Sequence, residues 1–452
     1  MPTQLYAFLN ERMLSQPEEA FAIRESLEKE FTARKLLYRG KPFQAPLAPY
    51  VITESEAAEL RISSVILERA ADKTISAVFV NKQLKSYFRH MDKTVWEWIE
   101  KTNPFHPPNL SFTRLDAFLD RRGKVKYVEF NPGNPGGKGY ADEVAEAFAA
   151  NPVLSDLLAP YPLQYDSQVR KGFLNCFKHY GEKHSIPEAD RRVAMMDLRE
   201  SSTRADIEIL EEYFNEQGLE ALCIDPRDFE FDGKRLLHRD KAYPMVLRNM
   251  IEWLIMDRAP EMPAFMDAYL AGKTVVMNSM QSLIACEKMM LAVMTGPNFR
   301  DLYTGEELAA FRKYLPWTRR LSDRETTGPD DSPVDLWDYV RKNRGHLVLK
   351  PTGGLAGIDV TLGWLTSGED WNKRIDSIEE RETWVVQERV EIDPIPIPDI
   401  RDGKVVSSLK YVCVAPYVMD GAFYGCIVRT SDDPVVNVAR GGGLGCLAVL
   451  RS

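Results

Sequence analysis

The chain is poor in the residues that would mark a redox, zinc-binding or nucleic-acid-binding protein. Its cysteines, Cys176, Cys223, Cys286, Cys413, Cys426 and Cys446, are scattered over 452 residues with no C-x-x-C pair. Such spacing excludes a zinc ribbon or a disulfide framework and reads as reduced thiols of an intracellular protein. Of the few histidines, His179 and His184 are five apart, which is wrong for a shared helical face. Lys and Arg total 58 against 67 Asp and Glu, a net charge of −9, so the basic stripe that nucleic acid needs is missing. No apolar run reaches the roughly 20 residues of a membrane span. The start, MPTQLYAFLNERMLSQPEEAF, lacks a basic segment followed by an apolar block, so no signal peptide is expected. Hydrophobic residues at 44% and charged residues at 28% are ordinary for a globular chain, here long enough for several domains. The expectation is a soluble, cytoplasmic protein of enzyme size.

Residues 1–105 read as a helical region. Glu18 to Leu37 and Tyr50 to Ala71 carry apolar residues at helical intervals, separated by the Pro-rich KPFQAPLAPY (41–50), and Thr53 with Glu56 reads as a capping box. Phe88, Trp96 and Trp98 are expected in the core. Gly139 to Leu157 reads as a helix whose N-terminus could face an anion or simply pack against its neighbours. From Arg192 the composition changes. VAMMDL (193–198), a helix over Thr203–Gln217 stopped by Gly218, and EALCID (220–225) form a strand–helix–strand unit, which implies a parallel sheet. No G-x-G-x-x-G follows its first strand, so the dinucleotide fingerprint is missing. Arg199, Ser201, Ser202 and Thr203 after that strand could meet an anion or cap the helix. FEFDGKRLLHR (229–239) reads as a hairpin, GKTVVMNS (272–279) as a strand, and Leu283 to Met294 as a helix.

The stretch TRLDAFLDRRGKVKYVEFNPGNPGG has two strands around the polar turn Arg121-Arg122-Gly123-Lys124. Arg114 and Asp116 share one strand face, as do Glu129 and Asn131. A hairpin can therefore collect two carboxylates and an amide, hard oxygen ligands that suit Mg²⁺ together with substrate phosphates. A hairpin with alternate polar residues facing water has the same pattern. Arg114 on that face, placed to neutralise developing charge, and the glycines of PGNPGGKG (132–139), which let backbone approach a ligand, favour a site.

HLVLKPTGGLAGIDVTLG (346–363) is a strand ending in Lys350, a glycine-bearing turn and a returning strand. Glycine amides can close over phosphates while the strand-borne lysine supplies a fixed charge, and a plain hairpin would not carry an unpaired lysine at the inward end of an apolar strand. TWVVQERV (383–390) is an apolar strand ending in Gln387 and Glu388, and the Pro-rich EIDPIPIPD (391–399) reads as a loop. SSLKYVCVAPYVMDGAFYGCIVRT (407–430) is an antiparallel hairpin turning at Asp420-Gly421. Arg429, Asn437 and Gly441 to Gly443 close the chain as a polar, glycine-rich segment. Arg429 could also be an ordinary strand-surface residue.

Arg-x-Asp, a strand pair, Glu-x-Asn and a Pro/Gly turn together resemble the metal-binding end of ATP-grasp ligases. The lysine and glycine loop of 346–363 and the strand end at 387–390 resemble the nucleotide lobe and hinge of the same fold. The metal hairpin here precedes the lysine loop. That order is similar to the circularly permuted branch to which glutathionylspermidine synthase belongs. The resemblance implies a mixed α/β, permuted ATP-grasp fold divided as a helical region (1–105), a metal-binding part (106–160), an α/β substrate domain (161–300) and a nucleotide lobe (301–452). By the same resemblance Asp116, Glu129 and Asn131 hold Mg²⁺. Lys288, Lys350, Gly353, Gly354, Gln387, Glu388 and Val390 bind ATP, and Arg114 and Arg429 act in catalysis. The implied reaction joins a carboxylate to an amine through an acyl phosphate, the substrates being an amino acid, peptide or polyamine, with a carrier protein as another acceptor. A phosphotransferase, a carrier-thiol ligase and a non-catalytic nucleotide-binding protein are the competing readings.

Overall fold

The computed structural model describes residues 2–103, 109–119, 124–353, 358–436 and 441–451. The fold is mixed α/β, and three of its sheets position the site. The largest runs, in spatial order, through Gly443–Gly445, Ala422–Ser431, Lys404–Met419, Phe112–Leu119 and Val125–Asn131, with every neighbour antiparallel. A smaller antiparallel sheet has the order Thr318–Arg320, Trp384–Glu388, Leu347–Pro351, Thr361–Leu362. The third is parallel: Val275–Met277, Met245–Arg248, Arg192–Met196, Glu220–Ile224. That sheet realises the strand–helix–strand unit expected from 193–225, with helix Arg204–Glu216 ending before Gly218 at φ +80°.

Alternation decides which residues face the core and which face the site. On strand Leu347–Pro351, Leu347 and Leu349 pack with Trp317, Leu336, Val340, Trp371 and Val386 in a small separate core, while Val348 and Lys350 look into a cleft. The small sheet therefore carries its own hydrophobic support, distinct from the two large clusters under the rest of the chain. The hairpin turn of the large sheet is at Asp420 (φ +47°) and Gly421 (φ +70°), two left-handed residues in succession as a tight hairpin demands. Thr53 caps helix Glu54–Val78 with the reciprocal bonds of a capping box: Glu56 N donates to Thr53 Oγ1 at 3.2 Å and Thr53 N to Glu56 Oε2 at 2.8 Å. No helix among the described residues is long and apolar enough to cross a membrane.

Several expectations need correction. Tyr50–Thr53 is a strand parallel to Leu447–Leu450, and the helix begins only after its Thr53 cap. Ile395–Arg401 is a strand, although 391–399 reads as a loop from its prolines. It is the outer partner of Lys404–Met419, and the Pro396 carbonyl accepts from Asn10 Nδ2 at 2.8 Å, on the side away from that partner. In an antiparallel ladder a residue's N–H and C=O point the same way, so the missing proline N–H falls on the open edge and removes no rung. The helix expected over 283–294 is broken: Leu283–Cys286 and Met289–Thr295 flank an extended Glu287. Gly139–Leu157 splits at Asn151, whose side chain caps the second helix, Pro152–Leu158. The Arg121-Arg122-Gly123 turn and Asn437 lie outside the described residues.

Candidate functional site

The register of the hairpin is the starting point. Arg114 pairs with Asn131 and Asp116 with Glu129, while Ala117 pairs with Tyr127, so a bulge at Val128 ends the two-residue alternation just beyond the polar set. The four polar side chains consequently share one face of the large sheet. Arg429 enters from strand Ala422–Ser431 and Lys288 from the break between the two short helices. Facing them across the cleft, the small sheet contributes Lys350, Gln387 and Glu388. All of these residues, together with Val390, line one cavity of about 260 Å³. Gly353 lies in an adjoining cavity that shares Arg114, Glu129, Asn131 and Lys288 with the first. Gly354 lies outside the described residues.

Asp116 is the electrostatic centre of the donor face. Its Oδ1 accepts from Arg114 Nε at 3.1 Å and its Oδ2 lies 2.5 Å from Arg429 Nη2. Burial alone would raise its pKa, but Arg114 and then Arg429 outweigh it and hold the carboxyl well below the usual range. Arg114 also donates through Nη1 to the Gly136 carbonyl at 3.0 Å, which anchors it to the glycine-rich turn. Glu129 Oε2 lies 3.6 Å from Lys288 Nζ, and Asn131 Nδ2 is 3.5 Å from Glu129 Oε1. On the opposite wall Lys350 Nζ donates to Gln387 Oε1 at 2.6 Å, and Gln387 Nε2 reaches Thr318 Oγ1 at 3.2 Å. Burial pushes the Lys350 ammonium down to about 8, with Lys288 adding to the shift against the pull of Glu129.

The charge balance of the cleft runs opposite to that of the whole chain. Arg114, Lys288, Lys350 and Arg429 face Asp116, Glu129 and Glu388 in a protein of net charge −9. A cleft with a cationic excess in an acidic protein concentrates anions. Among the described residues no group of three or more His, Cys, Asp and Glu side chains is arranged to hold a metal by itself. The donors on the hairpin face are instead two carboxylates and an amide, a set that fits Mg²⁺ when phosphates and water complete the shell. Among the described residues Arg429 Nε is buried with no hydrogen-bond partner, a donor on the same wall.

Other parts of the chain support these groups in ways the sequence pattern does not display. The Asp206 carboxylate accepts backbone N–H groups from Gly137 (2.8 Å), Lys138 (3.1 Å), Gly139 (2.8 Å) and Tyr140 (3.1 Å). It thereby fills the helix N-terminus at Tyr140, so that terminus is packed against the chain's own carboxylate and takes no outside anion. Lys138 is wholly buried and donates to Asn134 Oδ1 at 2.8 Å and to the Pro135 carbonyl at 2.7 Å, closing the same turn. His90 Nε2 lies 2.9 Å from Glu287 Oε2, at the helix break, and 2.8 Å from Thr352 Oγ1. Lys288 N donates to the Thr352 carbonyl at 3.0 Å, so the stem of the glycine turn is tied to the helix break. A helical reading of 283–294 hides that geometry. Arg199, a candidate for an anion contact, is instead paired with Asp225 at 3.1 Å and Asp228 at 2.7 Å, and Thr203 makes no capping bond through its side chain.

No family model matches the chain, and no curated protein matches it by sequence. Solved structures resemble it in fold. A glutathione synthetase-like effector from Globodera pallida, determined in the apo form, superposes with a TM-score of 0.65 at 11% identity, covering 97% of this chain and 97% of that one. A Methylobacillus flagellatus KT protein described as a putative gamma-glutamylcysteine synthetase gives a TM-score of 0.43 at 12% identity over 78% of this chain and 84% of that one. The first likeness is one of fold, extending over nearly the full length of both chains.

Proposed function

We propose that the cleft binds ATP with Mg²⁺ and that the protein is an ATP-dependent carboxylate–amine ligase of the circularly permuted ATP-grasp type. The observation that carries this reading is the meeting of two antiparallel sheets over one cleft. Asp116, Glu129, Asn131 and Arg114 stand on one, with Lys350, Gln387 and Glu388 on the other. The full-length likeness in fold to a glutathione synthetase-like protein agrees with it.

In this reading the substrate carboxylate takes the γ-phosphoryl group of ATP, giving an acyl phosphate and ADP. An amine then attacks the acyl carbon, phosphate leaves, and an amide remains. Glu129 and Asn131, with Asp116, would hold Mg²⁺, while Asp116 also pairs with Arg114 and Arg429. When bound, the ion offsets the repulsion between phosphates and the approaching carboxylate. Lys350 and Lys288 hold phosphates from opposite walls. Arg114, fixed by Asp116 and Gly136, meets the charge that develops on the transferred phosphoryl and on the later tetrahedral oxyanion. Glu388 and the backbone to Val390 receive the nucleoside. No protein nucleophile is needed.

The test is a screen of ADP release with amino acids, short peptides and polyamines. Amide product formed in equal amount to ADP supports a ligase. A stable phosphorylated product would assign a phosphotransferase, and nucleotide binding without ADP release a non-catalytic protein.

A further inference from the structure

Asn278 follows strand Val275–Met277 of the parallel sheet and is fully buried. Its Oδ1 accepts from Ser111 N at 2.8 Å and Phe112 N at 3.2 Å. Its Nδ2 donates to the Phe112 carbonyl at 2.6 Å and to the Pro132 carbonyl at 2.8 Å. Four bonds are the full capacity of a primary amide, two accepted and two donated. They fall on both strands of the donor hairpin, and only at its open end. Pro132 directly follows Asn131, and Phe112 lies just before Arg114.

The pairing of the two strands ends with Arg114 opposite Asn131. Beyond that rung, Phe112 and Thr113 pair with Met419 and Val418 on their other side. The Asn278 amide therefore supplies the next rung, bridging Phe112 and Pro132 where the ladder stops. It is itself anchored. Arg248 Nε donates to the Asn278 carbonyl at 3.0 Å and Arg248 Nη1 to the Met250 carbonyl at 2.6 Å, and both residues belong to the parallel-sheet side of the molecule.

We propose that Asn278 is a positioning residue for the cation–nucleotide site: it clamps the open end of the hairpin to the parallel sheet and so sets the spacing of Arg114, Glu129 and Asn131. The functional half of this statement rests on the ligase reading above; the clamp itself rests on the hydrogen bonds alone. A chelating set held at its open end only by its own ladder would fray, and fraying spreads donors that must converge on one ion.

The experiment compares Asn278→Ala, which removes all four bonds, and Asn278→Asp, which keeps the two accepted bonds and loses the donated ones. Hydrogen–deuterium exchange is read at 110–118 and 126–134, with 192–196 as the internal control. Binding of ATP is measured by calorimetry without metal and with Mn²⁺ as the probe, and bound Mn²⁺ is followed by electron paramagnetic resonance. The expected result is faster exchange confined to the two hairpin segments and Mn²⁺-dependent affinity weakened roughly tenfold or more, the scale seen when outer partners of metal ligands are removed. Metal-free ATP binding should stay unchanged. A merely structural role would lower the melting temperature and leave the ratio of metal-dependent to metal-free affinity as in the wild type. That ratio unchanged in a folded variant overturns the proposal. Failure of both variants to fold, by circular dichroism, would assign Asn278 to the core and also overturn it. Wild-type protein that takes up no Mn²⁺·ATP would sink the ligase reading, a result separable from the others because it precedes any substitution.

Discussion

Asp116 and Arg429 stand 2.5 Å apart, their strands separated in the sheet by Lys404–Met419. The Asp116 side chain is 4% exposed and that of Arg429 13%. Removing Arg429 leaves the buried Asp116 carboxylate with Arg114 as its one remaining cationic partner among the described residues, and breaking a buried pair in this way costs more than the pair contributes. Arg429→Met is expected to lower the free energy of unfolding by about 3 kcal/mol, read from urea denaturation, and to abolish ADP formation. Arg429→Lys should recover most of the stability and little of the activity, because an ammonium keeps the charge but loses the planar fork.

Glu129 carries no such burden. Its side chain is 31% exposed, and among the described residues it pairs with Lys288 at 3.6 Å. Glu129→Ala should therefore leave the circular dichroism spectrum and the melting temperature close to wild type while eliminating ADP release. Wild-type turnover in this variant would remove the hairpin from the chemistry.

Lys350 predicts a pH dependence. Its ammonium is pushed down to about 8 by burial, from an ordinary value near 10.5. On the proposed role phosphate would be held by the protonated form, so nucleotide affinity should be steady below about pH 8 and fall as the pH rises through that value. Isothermal titration across pH 6.5–9.5 reads this directly, and Lys350→Arg, whose charge does not titrate in that range, should flatten the profile.

Gly139 has room for a hydrogen and nothing larger. A Cβ there would lie 2.3 Å from the Asp206 carbonyl oxygen and 3.0 Å from Ile209 Cβ, contacts with backbone and a branched stem that cannot simply rotate away. Gly139→Ala is expected to destabilise the protein by roughly 1–3 kcal/mol. Because Gly136 in the same turn anchors Arg114, ADP formation should fall beyond the loss of folded protein. A denaturation midpoint paired with activity per folded molecule separates the two effects.

The local parts of this site were legible in the sequence because they depend on short-range periodicity. Alternation puts Arg114 with Asp116 and Glu129 with Asn131 on a face, and it puts Lys350 opposite Leu347 and Leu349 on its strand. The turn at Asp420-Gly421, the Thr53 cap and the helix stop at Gly218 are chemistry of neighbouring residues and need no partner from elsewhere. Proline misled at 395–401 because its cost depends on which side of the strand lacks a neighbour, a property of the sheet. The helical pattern of 283–294 hid the break at Glu287 for a similar reason, since His90 engages Glu287 and Thr352 engages Lys288 from distant segments.

The order of residues by itself determined the hairpin strands around Arg114 to Asn131 and the strand ending in Lys350, with their polar faces, since each follows from side-chain alternation along an extended backbone. Only the tertiary structure decided that Arg429 closes on Asp116, that Lys288 reaches Glu129, that Asp206 fills the helix end beside the glycine turn, and that Asn278 supplies the missing rung. Those contacts join residues brought together by sheet order and helix packing. Their energies come from burial and hydrogen bonds that exist only once the chain has folded around them.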